Sequence, residues 1–105
     1  MSRMVIAILR GITPVECLSV ADVLISSGID QIEVPLNSPE AFKSISKMVD
    51  TYDKDATIGA GTVLEVGQVK RLSDIGAKMI VSPNCSIDVI SATKNLGLLS
   101  YPGCF

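Results

Sequence analysis

No histidine and no tryptophan occur in the 105 residues, and aromatic side chains make up only 4% of them. The three cysteines, Cys17, Cys85 and Cys104, form an odd set without Cys-x-x-Cys spacing. These absences argue against a zinc site and a disulfide framework, so no metal is expected and the thiols read as reduced and mostly buried. A surplus of basic charge is missing too. Nine Lys and Arg against eleven Asp and Glu give a net charge of -2. Arg10 and Lys70-Arg71 are too sparse to form the footprint of a nucleic-acid or anionic-membrane partner, and neither is expected. No apolar run approaches the roughly 18 residues that span a bilayer. The run from Met4 to Leu9 is too short, and lacks the cleavage site, for a signal peptide. The expected compartment is the cytoplasm.

What the chain does have is apolar material, 48% of its residues, which is enough for one core in one domain over residues 1–105. Strand-length apolar runs alternate with longer stretches whose apolar residues recur every three or four positions, the pattern of βα units. The strands are expected at Met4–Leu9, Gln31–Leu36, Ala56–Leu64, Met79–Ser82 and Leu98–Tyr101. The helices are expected from about Pro14 to Gly28, from Ser38 through Phe42, Ile45, Met48 and Val49, over Val66 to Ile75, and from Ser86 to Leu96. Thr13 and Ser38 have the side chains of N-caps. A glycine that ends a helix is followed by a strand that finishes at proline three times: Gly28 to Pro35, Gly76 to Pro83, and Gly97 to Pro102. Glycine supplies the left-handed turn and proline suits the point where a strand leaves its ladder.

Two architectures satisfy this alternation, an open doubly wound sheet of about five strands or the first part of an eight-stranded βα barrel. In both, chemistry collects at the carboxyl ends of the strands. Arg10, Asn37 and Ser38, Thr62, and Pro83-Asn84 all fall there. Glu33 lies inside an otherwise apolar strand, where a carboxylate must be solvated, paired, protonated or employed. Strand alternation puts it opposite Ile32 and Val34, facing inward if the sheet closes. Gly59-Ala60-Gly61-Thr62 lacks the later glycine of a dinucleotide fingerprint and the Lys-Ser/Thr of a P-loop. Its glycines fit close approach of a neighbouring backbone or a ligand better than nucleotide binding.

Three segments, Ile6-Ala7-Ile8-Leu9-Arg10-Gly11-Ile12, Glu33-Val34-Pro35-Leu36-Asn37-Ser38-Pro39 and Gly59-Ala60-Gly61-Thr62-Val63-Leu64, together resemble the 2-keto-3-deoxy-6-phosphogluconate / 4-hydroxy-2-oxoglutarate aldolase family. Val81-Ser82-Pro83-Asn84 and Tyr101-Pro102-Gly103-Cys104 follow in the same order, so the resemblance covers nearly the whole chain. Leu9-Arg10-Gly11-Ile12 and Leu36-Asn37-Ser38-Pro39 are most similar to the 2-dehydro-3-deoxy-6-phosphogalactonate aldolase branch. The resemblance implies the first five βα units of a TIM (β/α)8 barrel, the N-terminal portion of a single barrel domain. It implies a class I aldolase, commonly a homotrimer, that needs no cofactor and splits a phosphorylated 2-keto-3-deoxy sugar acid into pyruvate and glyceraldehyde 3-phosphate. By this likeness Glu33 is the catalytic acid/base, Arg10 and Thr62 bind the pyruvate end of the substrate, and Pro83 shapes the wall.

The family's Schiff-base lysine belongs to a later strand, in an apolar context followed shortly by Phe-Pro, and none of the six lysines here has that setting. Lys43, Lys47, Lys70 and Lys94 belong to helices, Lys54 to a turn, and Lys78 precedes its strand. The expectation is a chain that carries part of an aldolase and is inactive alone. Two alternatives stay open: a non-enzymatic α/β module that binds a small anion, and one half of a split aldolase.

Overall fold

The computed structural model describes residues 6–82 and 87–102. Five strands, β1 (Ile6–Ile8), β2 (Gln31–Pro35), β3 (Thr57–Gly61), β4 (Met79–Ser82) and β5 (Leu99–Pro102), alternate with four helices, α1 (Cys17–Ser26), α2 (Ala41–Tyr52), α3 (Val66–Asp74) and α4 (Ile87–Asn95). All neighbouring strands are parallel, and their order in the sheet is their order in the chain. A doubly wound sheet reverses its strand order and divides its helices between two faces. Here one core cluster holds Ile32, Val34, Ile58, Ala60 and Ile80 from the strands with residues of all four helices, among them Ala21, Ile45, Met48, Leu72 and Val89. The helices therefore cover one face of a singly wound sheet, which is the barrel alternative.

Strand alternation sets what the other face carries. Ile8, Glu33, Gly59, Met79 and Leu99 are joined in one row by the register of the four strand pairs. Met79 in that row is fully buried yet belongs to no part of the helix-side core.

Element boundaries depart from the sequence expectation where the backbone turns. Met79–Ser82 matches the expected fourth strand at both ends. The third strand stops at Gly61 rather than Leu64, because Thr62 turns the chain with φ 56°. Helix α2 starts at Ala41 with Glu40 before it in a left-handed conformation, and Ser38 caps nothing there. Helix α1 begins at Cys17, preceded by a turn in which the Thr13 carbonyl accepts from the Glu16 and Cys17 N–H groups. Of the glycine and proline repeat, Gly28, Gly76 and Gly97 all have left-handed φ, at 95°, 92° and 75°. Pro35 and Pro102 end their strands. Pro83 lies outside the described residues, as do Cys85 and Cys104. Cys17 is free and buried, with its Sγ 3.4 Å from the Pro14 carbonyl oxygen. No helix among the described residues is long and apolar enough to cross a membrane.

Candidate active site

Glu33 stands on the helix-free face of β2, and only 3% of it is exposed. Its Cα pairs with Gly59, but its carboxyl reaches toward the carboxyl end of the sheet and lies against Gly61, the register partner of Pro35. Oε2 is buried and has no hydrogen-bond partner among the described residues. Burial disfavours the charged form and pushes the carboxyl above its ordinary range, while the Arg10 guanidinium pulls it partly back. The result is a carboxyl with raised proton affinity, one of whose oxygens, Oε2, is buried against Gly61.

Arg10 follows β1 in an exposed turn. With Leu9, Gly11, Ile12 and Glu16 it borders a cavity of about 330 Å³. The Glu16 carboxylate there is occupied, accepting from the Thr13 N–H at 3.1 Å and the Thr13 hydroxyl at 2.8 Å. The turn is tied across to β2's exit loop, where Ser38 Oγ accepts the Gly11 N–H at 3.0 Å. The strand ladders also run into these loops: the Leu9 N–H donates to the Glu33 carbonyl at 3.0 Å, and the Leu36 N–H to the Gly61 carbonyl at 2.9 Å.

Thr62, half-buried, leaves β3 directly after Gly61. A β-branched residue at φ 56° is a strained choice, and such strain collects at functional sites. The loop after it is pinned by Gln68, whose Oε1 accepts the N–H groups of Leu64 at 2.9 Å and Glu65 at 3.2 Å.

Arg10 and Thr62 thus follow the carboxyl ends of their strands, the Glu33 carboxyl reaches toward that end from the middle of β2, and Arg10 acts electrostatically on Glu33. The lysines lie elsewhere. Lys78 precedes β4 at the amino end and pairs with Asp53 at 3.1 Å. Lys47 Nζ donates to the Pro14 carbonyl at 2.7 Å, and Lys43, Lys54, Lys70 and Lys94 are exposed. Sequence reasoning read Gly61 as a place of close approach without naming Glu33 as what approaches, and missed the Ser38 latch and the Gln68 bracket. Of these two only the bracket left a local signal, an acid followed three residues later by glutamine at a helix start.

A singly wound parallel sheet, its helices on one face and a buried carboxylate on the other, defines the chain as a segment of a βα-barrel protein. Residues 2–105 match the KDPG and KHG aldolase family, and the chain belongs to that family. It is 46% identical over its full length to a probable 2-dehydro-3-deoxy-6-phosphogalactonate aldolase of Rhizobium meliloti (strain 1021), covering 50% of that protein. It is 48% identical over 94% of its length to the 2-dehydro-3-deoxy-6-phosphogalactonate aldolase of Escherichia coli (strain K12), covering 48% of it. A solved native KDPGal structure superposes with a TM-score of 0.93 at 47% identity, over 94% of this chain and 48% of that one. A KDPG aldolase from Legionella pneumophila, solved with pyruvate captured as a covalent carbinolamine, superposes at 0.85 with 28% identity, again over 94% and 48%. The chain spans about half the length of the curated relatives it matches.

Proposed function

We propose that these residues supply the acid/base part of a class I aldolase site, which in the whole protein cleaves a 2-keto-3-deoxy-6-phospho sugar acid to pyruvate and glyceraldehyde 3-phosphate. The observation that carries the reading is the Glu33 carboxyl, buried on the helix-free face of the sheet with one oxygen unpartnered among the described residues. The covalent pyruvate adduct in the Legionella pneumophila relative supports imine chemistry. Identity of 46% and 48% to proteins named for the galactonate substrate supports that epimer.

In this reading a lysine forms an imine with the keto carbon. Glu33 takes the proton of the hydroxyl on the carbon that becomes the aldehyde. The carbon-carbon bond breaks, its electron pair passes into the protonated imine, and Glu33 returns a proton to the resulting enamine. A carboxyl with raised proton affinity suits both transfers. Arg10 holds the substrate carboxylate, as a guanidinium can with two parallel hydrogen bonds, and the Thr62 hydroxyl donates at the same end. The six lysines here lie on helices, in a turn or at the amino end of β4, so the imine lysine is none of them. An anion-binding module is less well supported, since the Glu33 carboxylate would oppose the anion.

Borohydride reduction with pyruvate, read by intact mass, tests this. The 105-residue chain alone is expected to give no pyruvyl adduct. Fused to the part of the Escherichia coli relative that it does not match, it is expected to give one adduct and aldol cleavage, with cleavage largely lost in Glu33→Gln. An adduct on the isolated chain, or full cleavage in Glu33→Gln, would sink the proposal. The same fusion is expected to sediment as a homotrimer.

A further inference from the structure

Gly61 is a glycine for a reason that differs from those of the other described glycines. Gly11, Gly28, Gly76 and Gly97 take left-handed φ. Gly59 passes so close to β4 that a Cβ would overlap the Met79 carbonyl oxygen. Gly67 has open space where a Cβ would go. Gly61 has no left-handed φ, and the three atoms nearest to an added Cβ are the carboxyl carbon and both oxygens of Glu33, with the carbon at 2.6 Å. The volume that any side chain at position 61 needs is already filled by that carboxyl.

We propose that Gly61 is a positioning residue for Glu33: the missing Cβ is the seat in which the carboxyl, with Oε2 innermost, lies against β3 near the carboxyl end of the sheet. A methyl group there would drive the carboxyl off the strand, toward solvent and the exposed Arg10 turn. The carboxyl would be less buried and its charged form less disfavoured. Arg10 is the one charged group acting appreciably on Glu33 among the described residues, and it already favours ionisation. Displacement in that direction therefore lowers the titration midpoint.

The inference rests on the reading of Glu33 as the acid/base, but its test needs no turnover, so either can fail without the other. The sequence has four glutamates, Glu16, Glu33, Glu40 and Glu65. The Glu33 side-chain carboxyl can therefore be followed by carbon-13 NMR during a pH titration and assigned by its loss in Glu33→Gln. Gly61→Ala is expected to lower the Glu33 midpoint, and Gly67→Ala to leave it in place. A thermal-melt cycle covers the case in which Gly61→Ala folds poorly. Its loss of Tm is expected to fall by at least half when Glu33→Ala removes the carboxyl. An unchanged midpoint in Gly61→Ala, or an equal loss of Tm with and without the carboxyl, would overturn the proposal. Failure of borohydride trapping in the fused protein would count against the aldolase reading and leave this seat intact.

Discussion

At the scale of single residues, the site is built from groups that cost stability where they stand. Glu33 is buried without a partner for Oε2 among the described residues, and its carboxyl binds a proton more tightly folded than unfolded. For an acid raised in this way, the folded state is not penalised below the unfolded midpoint, near pH 4.3. Stability is then lost as the pH rises toward the folded midpoint, by about 1.4 kcal/mol for each pH unit between the two. Glu33→Gln should therefore raise the Tm at pH 7 to 8 and lose that advantage near pH 4, which melts across a pH series will check. Thr62 carries a second cost, since φ 56° suits glycine and strains a β-branched side chain by roughly 1–3 kcal/mol. Thr62→Gly should hold or raise the Tm while weakening cleavage in the fused protein through loss of the hydroxyl. A clear fall in Tm would show that Thr62 serves the fold and not the site.

At the scale of elements, loops between strands and helices do the aligning, and Ser38 is the clearest case. Its hydroxyl joins the turn after β1 to the loop after β2, across 27 residues of sequence. Ser38→Ala leaves the half-buried Gly11 N–H without that acceptor, at about 1 kcal/mol for the lost hydrogen bond. Because Gly11 follows Arg10, the same change should raise KM more than it lowers kcat in the fused protein. Equal KM values for the two proteins would refute the latch. The sequence pattern foretold a helix cap at Ser38, since serine before an acidic, apolar-periodic stretch has that local meaning. Its true partner sits on another βα unit, which no local pattern reveals. Period-two alternation did place Glu33 opposite Ile32 and Val34, and the structure agrees. Strand β4 was legible at both ends because a glycine turn precedes it and its apolar run is short. Gly61 was legible only as a site of close approach. What approaches it depends on register, since Glu33 pairs with Gly59 yet reaches two residues further along β3.

At the scale of the whole molecule, the parallel sheet gives the protein two unlike ends. The carboxyl end gathers Arg10, Ser38 and Thr62, with Glu33 reaching toward it from β2. The amino end gathers Asp30, Asp53, Lys54 and Asp55 around a cavity of about 210 Å³, with Lys78 paired to Asp53 beside them. In a βα barrel, chemistry belongs to the first of these ends and stability to the second. The Lys78–Asp53 pair is more than half exposed on both sides, and water screens such pairs to about 0–1 kcal/mol. Lys78→Met should therefore shift the Tm only slightly and leave borohydride trapping in the fused protein unchanged, since this lysine is at the wrong end of the sheet to form the imine. Arg10→Ala should do the opposite. Its side chain is exposed and makes little of the core, so the melt should barely move, while kcat/KM should fall by tenfold or more, about 1.4 kcal/mol of lost transition-state binding. Measured side by side in the fused protein, the two substitutions separate the ends. Loss of trapping in Lys78→Met would move the imine to the amino end and would contradict the placement of every functional residue proposed above.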